Sequence, residues 1–292
     1  MRGVGAPGKS SYSLLAAAMI TCAAALALLP AAASAVTTSC GAQLPDGAGG
    51  YRTCTFGDDF KGTSLNAANW TPLTTATTGF SVAGECYVDD RSHVSVGSGY
   101  LTLTATRSSL PQTCMPWYST PYRNGMVTSR DQFAQTYGRF EIRAKVPVGT
   151  GLQPAFWMWP RDMAYGDRSG EIDVAEWYGV YPDLVVPTLH MHDALGLDQT
   201  KTTYDCHISA VDKGFHTYAV EWKPISFTFL YDGEPCLTVS NWDPGAPLTA
   251  PQPFDQPFFM ILQQALGWFP NAVAPSTPFP ARFVIDYVRA WQ

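Results

Sequence analysis

The stretch Gly170-Glu171-Ile172-Asp173-Val174-Ala175-Glu176-Trp177-Tyr178 decides how the rest of the chain is read. Three carboxylates fall within six residues, separated by apolar side chains. β-Branched and small apolar residues alternating with polar ones fit a half-buried strand. Glu171 and Asp173 are two apart and share a face. Glu176 is five from Glu171, so strict alternation would turn it into the core, where an unpaired carboxylate is costly. One extra residue at Val174-Ala175, a β-bulge, returns Glu176 to the face of the other two, and bulges recur beside active sites. The competing reading is the solvent face of an edge strand, which leaves the five-residue interval unexplained.

The flanking runs carry the same message. In Phe156-Trp157-Met158-Trp159-Pro160, Trp157 and Trp159 share one face and read as a platform for flat apolar surfaces such as sugar rings. Phe156 and Met158 occupy the other face and read as core. Tyr178 is expected to point the same way as Glu176. His190 and His192 share a face downstream, with no third metal ligand near them.

Elsewhere the chain is a succession of short alternating runs, such as Leu101–Thr106, Gly138–Val146 and Phe283–Trp291. Gly, Pro and Asp-Gly turns separate them, and no stretch keeps helical periodicity for three turns. This predicts an all-β sandwich or jelly roll. Without an internal repeat or a second linker, residues 51–292 are expected to form one domain. Residues 36–50, rich in Gly, Ala and Thr, are expected to be a flexible N-terminal segment.

Residues 1–35 read as a secretory signal peptide: Arg2 and Lys9, an apolar run from Leu14 to Leu29, and the small-x-small site Ala33-Ser34-Ala35. The run is shorter than the roughly 20 residues that span a bilayer. Cleavage leaves 16 basic against 24 acidic residues, a net charge of −8. That balance argues against nucleic acid or an anionic membrane as partner. The expectation is a secreted, extracellular protein that acts as a monomer on a polysaccharide. Six cysteines remain after Cys22 is removed, and an even number in an exported chain favours disulfides. Sequential pairing is expected: Cys40–Cys54, Cys86–Cys114 and Cys206–Cys236.

Two carboxyl groups flanking a bond are what glycoside hydrolysis needs, about 5–5.5 Å apart in retaining enzymes. Two same-face residues separated by two pleat repeats have Cα atoms about 13 Å apart, a gap that two glutamates close better than two aspartates. Asp173 would hydrogen-bond one glutamate and, by its charge, keep the other protonated. Symmetry alone does not say which glutamate is which. Calcium fits three acids on one strand face poorly, and no Gly-x-Ser-x-Gly elbow is present.

Glu171-Ile-Asp-Val-Ala-Glu176 resembles the bulged Glu-x-Asp-x-x-Glu signature of glycoside hydrolase family 16, in the form typical of laminarinases, which are endo-1,3-β-glucanases. The similarity runs over most of the mature chain: Phe56–Leu65 with Trp70, Tyr137–Lys145, Pro154–Met158, Thr188–His190, Phe215–Trp222, Tyr231–Gly233 and Phe283–Trp291. The resemblance implies a concanavalin A-like jelly-roll sandwich of two curved antiparallel sheets. It implies a retaining mechanism without a cofactor, with Glu171 as nucleophile, Asp173 as helper and Glu176 as acid/base. It puts Trp157 in the sugar-binding floor and His190 close to the acid/base. It also implies a structural calcium ion at Asp59, the Gly99 carbonyl and Asp286. His93 stands where laminarinases commonly have Asn. Gln263 and Trp268 depart from the usual Leu-Asn-x-Ala-x-Gly-Gly pattern, and Trp159 replaces a smaller residue. With Tyr178, these four are assigned to substrate binding. The substrate expected is β-1,3-glucan. The alternatives are a β-galactan hydrolase, a transglycosylase, or a glucan-binding protein without catalysis.

Overall fold

The computed structural model describes residues 40, 41 and 43–292. The expected signal peptide lies outside them. In chain order the strands are β1 (Cys54–Asp58), β2 (Thr71–Pro72), β3 (Cys86–Tyr87), β4 (Val94–Gly97), β5 (Tyr100–Met115), β6 (Tyr118–Asn124), β7 (Met126–Thr128), β8 (Gly138–Lys145) and β9 (Leu152–Pro160). They continue as β10 (Glu171–Glu176), β11 (Val186–His190), β12 (Lys201–Thr202), β13 (His216–Lys223), β14 (Ser226–Tyr231), β15 (Glu234–Ser240), β16 (Phe258–Leu266) and β17 (Ala281–Trp291). Helical structure among the described residues is limited to Thr75–Thr78 and a 3-10 turn at Gly166–Arg168.

Two sheets result, as the short alternating runs predict. One has the order β15-β14-β13-β8-β17-β5-β6-β3, with β1 on β17 and β4 on β5. The other runs β12-β11-β10-β9-β16-β7-β2. All pairings are antiparallel except the two-residue pairing of β3 with β6. Alternation sorts the side chains. Phe156, Met158, Ile172, Val174, Met260 and Leu262 of the seven-stranded sheet join Phe140, Ile142, Val220 and Phe229 of the ten-stranded sheet in one core between the layers. Ala155, Trp157, Phe259 and Ile261 lie on the outer face of the seven-stranded sheet.

The bulge falls where the spacing of the acids requires it. Asp173 pairs with Trp157 and Ala175 with Phe156, so three residues of β10 oppose two of β9. On the other side Asp173 pairs with Thr188 and Glu176 with Val186. Val174 and Ala175 are both fully buried in the interlayer core, which restores Glu176 to the outer face. The hydroxyl of Tyr231, on β14 of the opposite sheet, donates to the Val174 carbonyl over 2.9 Å.

The disulfides are Cys40–Cys54, Cys86–Cys114 and Cys206–Cys236, the sequential set. For residues 40, 41 and 43–50, the part of the expected flexible segment among the described residues, the first of them argues against flexibility. Cys40 is buried and bridged to β1, the Arg52 amide donates to the Leu44 carbonyl, and Pro45 bridges Tyr51. A short loop closed by a disulfide has few alternatives to lying on the domain.

Candidate active site

β10 is an interior strand of the seven-stranded sheet, third from the β12 edge, between β9 and β11. The register lays out the face around the acids. One row runs Thr202, Thr188, Asp173, Trp157, Ile261. The next runs Glu176, Ala155, Gln263, Met126. Glu171 stands opposite His190. All three acids thus share one surface, with Asp173 buried between two half-buried glutamates.

Each acid is held. His190 Nε2 lies 2.8 Å from Asp173 Oδ2, and Thr200 Oγ1 is 3.4 Å from His190 Nδ1. The resemblance put His190 beside the acid/base; its direct contact is with the central aspartate. Glu171 and Asp173 share a hydrogen bond. Glu176 accepts from Gln153 Nε2 at 3.3 Å and from the Tyr178 hydroxyl at 3.1 Å. Tyr178 therefore points with Glu176, as alternation predicts.

Burial dominates the electrostatics. It raises the Glu171 carboxyl to a pKa of about 9, with the Asp173 charge adding to the rise and His190 opposing it. Burial, then the Glu176 charge, pushes Asp173 well above the usual carboxylate range. Glu176 is raised by burial too, and the hydrogen bonds from Gln153 and Tyr178 counter the rise because they favour its charged form. Burial also raises the Tyr178 hydroxyl, and the Glu176 charge adds to it. Burial on one face thus raises the proton affinity of all three acids.

Aromatic rings flank the acids on two sides. On the β9 side, Trp157 makes an edge contact with Trp159, with centroids 6.0 Å apart. Phe80 packs against Trp157 at 6.3 Å and stacks on Tyr87 at 5.9 Å. On the Glu176 side, Tyr178 and Trp268 line a hollow of about 630 Å³. Gln263 is buried in the Glu176 row.

Sequence reasoning missed Gln153, Phe80 and Tyr87. Gln153 was within reach, since it shares parity with Trp157 and Trp159. Phe80 arrives on a loop, and no strand period marks it. His93 is placed differently from expectation. It is buried, with Nδ1 at 2.7 Å from Asp90 Oδ1 and Nε2 at 2.9 Å from Thr106 Oγ1. With both ring nitrogens used inside the chain, it fastens the turn before β4 and offers a sugar no free polar edge.

The three expected calcium ligands, Asp59, Gly99 and Asp286, line one hollow of about 300 Å³. Both carboxylates carry cations there: Asp59 pairs with Lys61 and Arg289, and Asp286 with Arg143. Among the described residues no group of three or more His, Cys, Asp or Glu gathers as a metal site. No helix among them is long and apolar enough to cross a membrane.

Residues 85–268 match the family described as Glycosyl hydrolases family 16. The chain is 34% identical over 209 residues to a beta-glucanase of Rhodothermus marinus, covering 68% of this chain and 69% of that protein. It is 32% identical over 253 residues to glucan endo-1,3-beta-glucosidase A1 of Niallia circulans, covering 80% of this chain but 37% of that longer protein. Among solved structures, the laminarinase from Rhodothermus marinus superposes with a TM-score of 0.69 at 30% identity, covering 82% of this chain and 97% of that one.

Proposed function

The chain belongs to glycosyl hydrolase family 16, and from that premise we propose that it hydrolyses internal bonds of a β-glucan with retention, β-1,3-glucan foremost. The observation that carries this reading is the bulge, which gathers Glu171, Asp173 and Glu176 on one face beside aromatic rings.

Glu176, as acid, gives its proton to the glycosidic oxygen while Glu171 attacks the anomeric carbon and the leaving sugar departs. Glu176, now a carboxylate, then takes a proton from water, and that water displaces Glu171 from the covalent intermediate. Attack requires Glu171 ionised. The proton that burial and the Asp173 charge keep on Glu171 must therefore pass to Asp173 before attack, and the buried Asp173 is then placed to donate a hydrogen bond to the nucleophile. His190 fixes Asp173. Trp157 and Trp159, with Gln263, line the sugar path on one side, and Tyr178 and Trp268 on the other. Catalysis on this scheme needs no cofactor.

The test is release of reducing ends from laminarin, lichenan and β-galactan, with products sized. Internal cleavage of laminarin into short oligosaccharides is expected. Preferential cleavage of galactan would replace glucan as substrate, and no release from any of the three would favour a binding protein. Inverted product anomers would remove Glu171 as a covalent nucleophile.

We further propose export of the protein after signal cleavage and action as a monomer, without nucleic acid or membrane partners; the three disulfides suit an oxidising compartment. Calcium is proposed as a structural ion only. Asp59, the Gly99 carbonyl and Asp286 supply the hard oxygen donors it prefers. A rise of the melting temperature with calcium, reversed by chelator, is the expected result.

A further inference from the structure

Arg168 ends the 3-10 turn Gly166–Arg168, three residues before Glu171, and all three nitrogens of its guanidinium donate to backbone carbonyls. Nε donates to the His192 carbonyl at 3.2 Å. Nη2 donates to the carbonyls of Pro244 and Gly245, both at 2.6 Å, and Nη1 to that of Ala246 at 3.5 Å. None of these partners is a carboxylate. A rigid planar fork of donors can span several carbonyls at once, which a point-like ammonium cannot. Hydrogen bonds from a charged donor are also roughly twice as strong as neutral ones.

The carbonyls belong to two loops. His192 follows β11 in the hairpin that returns as β12, and residues 244–246 lie between β15 and β16. The loops are in contact, since a Cβ on Gly245 would stand 2.7 Å from Asp193 Cβ. Asp193 in turn organises the hairpin turn, accepting from the amides of Leu195 at 2.8 Å and Leu197 at 2.9 Å. The Gln199 amide donates to the Met191 carbonyl over 2.8 Å, and Thr200 Oγ1 comes within 3.4 Å of His190 Nδ1. On its own side the segment of Arg168 is fixed. A Cβ on Gly170 would lie 2.8 Å from the Phe254 ring, and Gln256 donates to the Ser169 carbonyl at 3.2 Å. Arg168 therefore joins a fixed turn to the hairpin that carries His190.

We propose that Arg168 is a positioning residue of the reaction, which fixes the β11–β12 hairpin to the turn before β10 and thereby holds His190 on Asp173, opposite Glu171. This role rests on the reading of Glu171, Asp173 and Glu176 as a glycosidase set. The charges that bear on Glu171 are those of Asp173, His190 and Glu176, and of these His190 alone favours the ionised nucleophile. Asp198, on the far limb of the hairpin, faces His190, while Tyr178 and Tyr231 face Asp173. The partners of Arg168 are backbone atoms outside the rows that meet the sugar, so it acts on catalysis through where His190 stands.

The test compares Arg168→Gln and Arg168→Lys with the wild type on whichever of laminarin, lichenan and β-galactan the wild type cleaves. Both variants should lower kcat about ten- to a hundredfold and leave KM within about twofold, the pattern of misplaced catalytic groups on an intact binding face. The acid limb of the kcat/KM profile follows ionisation of the Glu171–Asp173 pair. It should move to higher pH, because the imidazole that favours the ionised nucleophile no longer stands in place. The position of a limb does not depend on how much protein is folded, so a folding defect cannot imitate this shift. Arg168→Lys keeps the charge and loses the fork. Wild-type kcat in Arg168→Lys, or an unshifted acid limb in both variants, would overturn the assignment. If the wild type cleaves none of the three glycans, the functional reading has failed, and the contact is then read without turnover. The His190 ring signals in the NMR spectrum, identified by their loss in His190→Asn, should shift in Arg168→Gln. Unchanged signals would refute the role of Arg168.

Discussion

The hydroxyl of Tyr231 donates to the carbonyl of Val174 over 2.9 Å, joining the two sheets at the bulge that aligns the acids. A bulge takes a residue out of the ladder, so its backbone needs another partner. The partner here comes from the opposite layer, 57 residues further along the chain. Function and interlayer packing therefore meet at one buried hydrogen bond.

Tyr231→Phe keeps the ring and removes the donor. The Val174 carbonyl is left buried and unsatisfied, which costs about 1–3 kcal/mol. Denaturant unfolding should show that loss. kcat should fall as well, because the bulge fixes where Glu176 stands. A variant with normal stability and normal kcat would mean that the bulge holds itself.

The two glutamates should separate by leaving group and by rescue. Glu176→Gln should lose roughly 10²–10⁴-fold on glucan, and much less on an aryl glycoside whose leaving group needs no proton. Azide should restore turnover of a Glu176→Ala variant with retained configuration. For Glu171→Ala the azide product should be inverted. Exchange of these two outcomes would exchange the roles.

Stability should fall as pH rises. Glu171 has an ordinary carboxyl pKa of 4.5 in the unfolded chain and about 9 in the fold. The native state therefore holds a proton that the unfolded chain has released, and stability is lost across that interval as pH increases. The melting temperature should decline between pH 5 and pH 9. Glu171→Gln should flatten the decline and be the more stable protein at pH 8. A steeper decline in the variant would contradict the burial argument.

Gln153 tunes the acid. Its hydrogen bond favours the charged form of Glu176, so Gln153→Leu should raise the pKa of that group. The alkaline limb of the kcat/KM profile should move to higher pH. A fall in rate without any shift of that limb would make Gln153 a packing residue.

The bridge Cys206–Cys236 closes 30 residues and ties the segment after β12 to β15. Replacing both cysteines with serine should cost roughly 3 kcal/mol by loop-closure entropy. Calorimetry measures it, and a change below a few tenths would show the segment to be held without the bridge.

Much of this was legible in the chain. The alternation of Phe156 to Trp159 placed two residues in the core and two on the outer face, because a strand has only two faces. The five-residue interval between Glu171 and Glu176 called for a bulge, because a buried carboxylate without a partner is too costly. What was not legible came from residues whose surroundings depend on other strands. His93 looked like a cleft residue until Asp90 and Thr106 claimed both of its nitrogens. Phe80 reaches the Trp157 cluster from a loop and Tyr87 from the two-residue strand β3, neither of which any period marks.

By itself, then, the amino-acid sequence determined the all-β architecture, the spacing of the three acids and their common face, whereas the pairing of the six cysteines waited for the structure. The former follow from local rules of period, polarity and charge. Only the tertiary structure decided what surrounds the acids: Tyr231 on the bulge, His190 on Asp173, Gln153 and Tyr178 on Glu176, and the aromatic hollow beyond them. The physical reason is sequence distance. Strand register and layer packing bring these groups together from separate parts of the chain, and the proton affinities of the acids come from the burial that this packing creates.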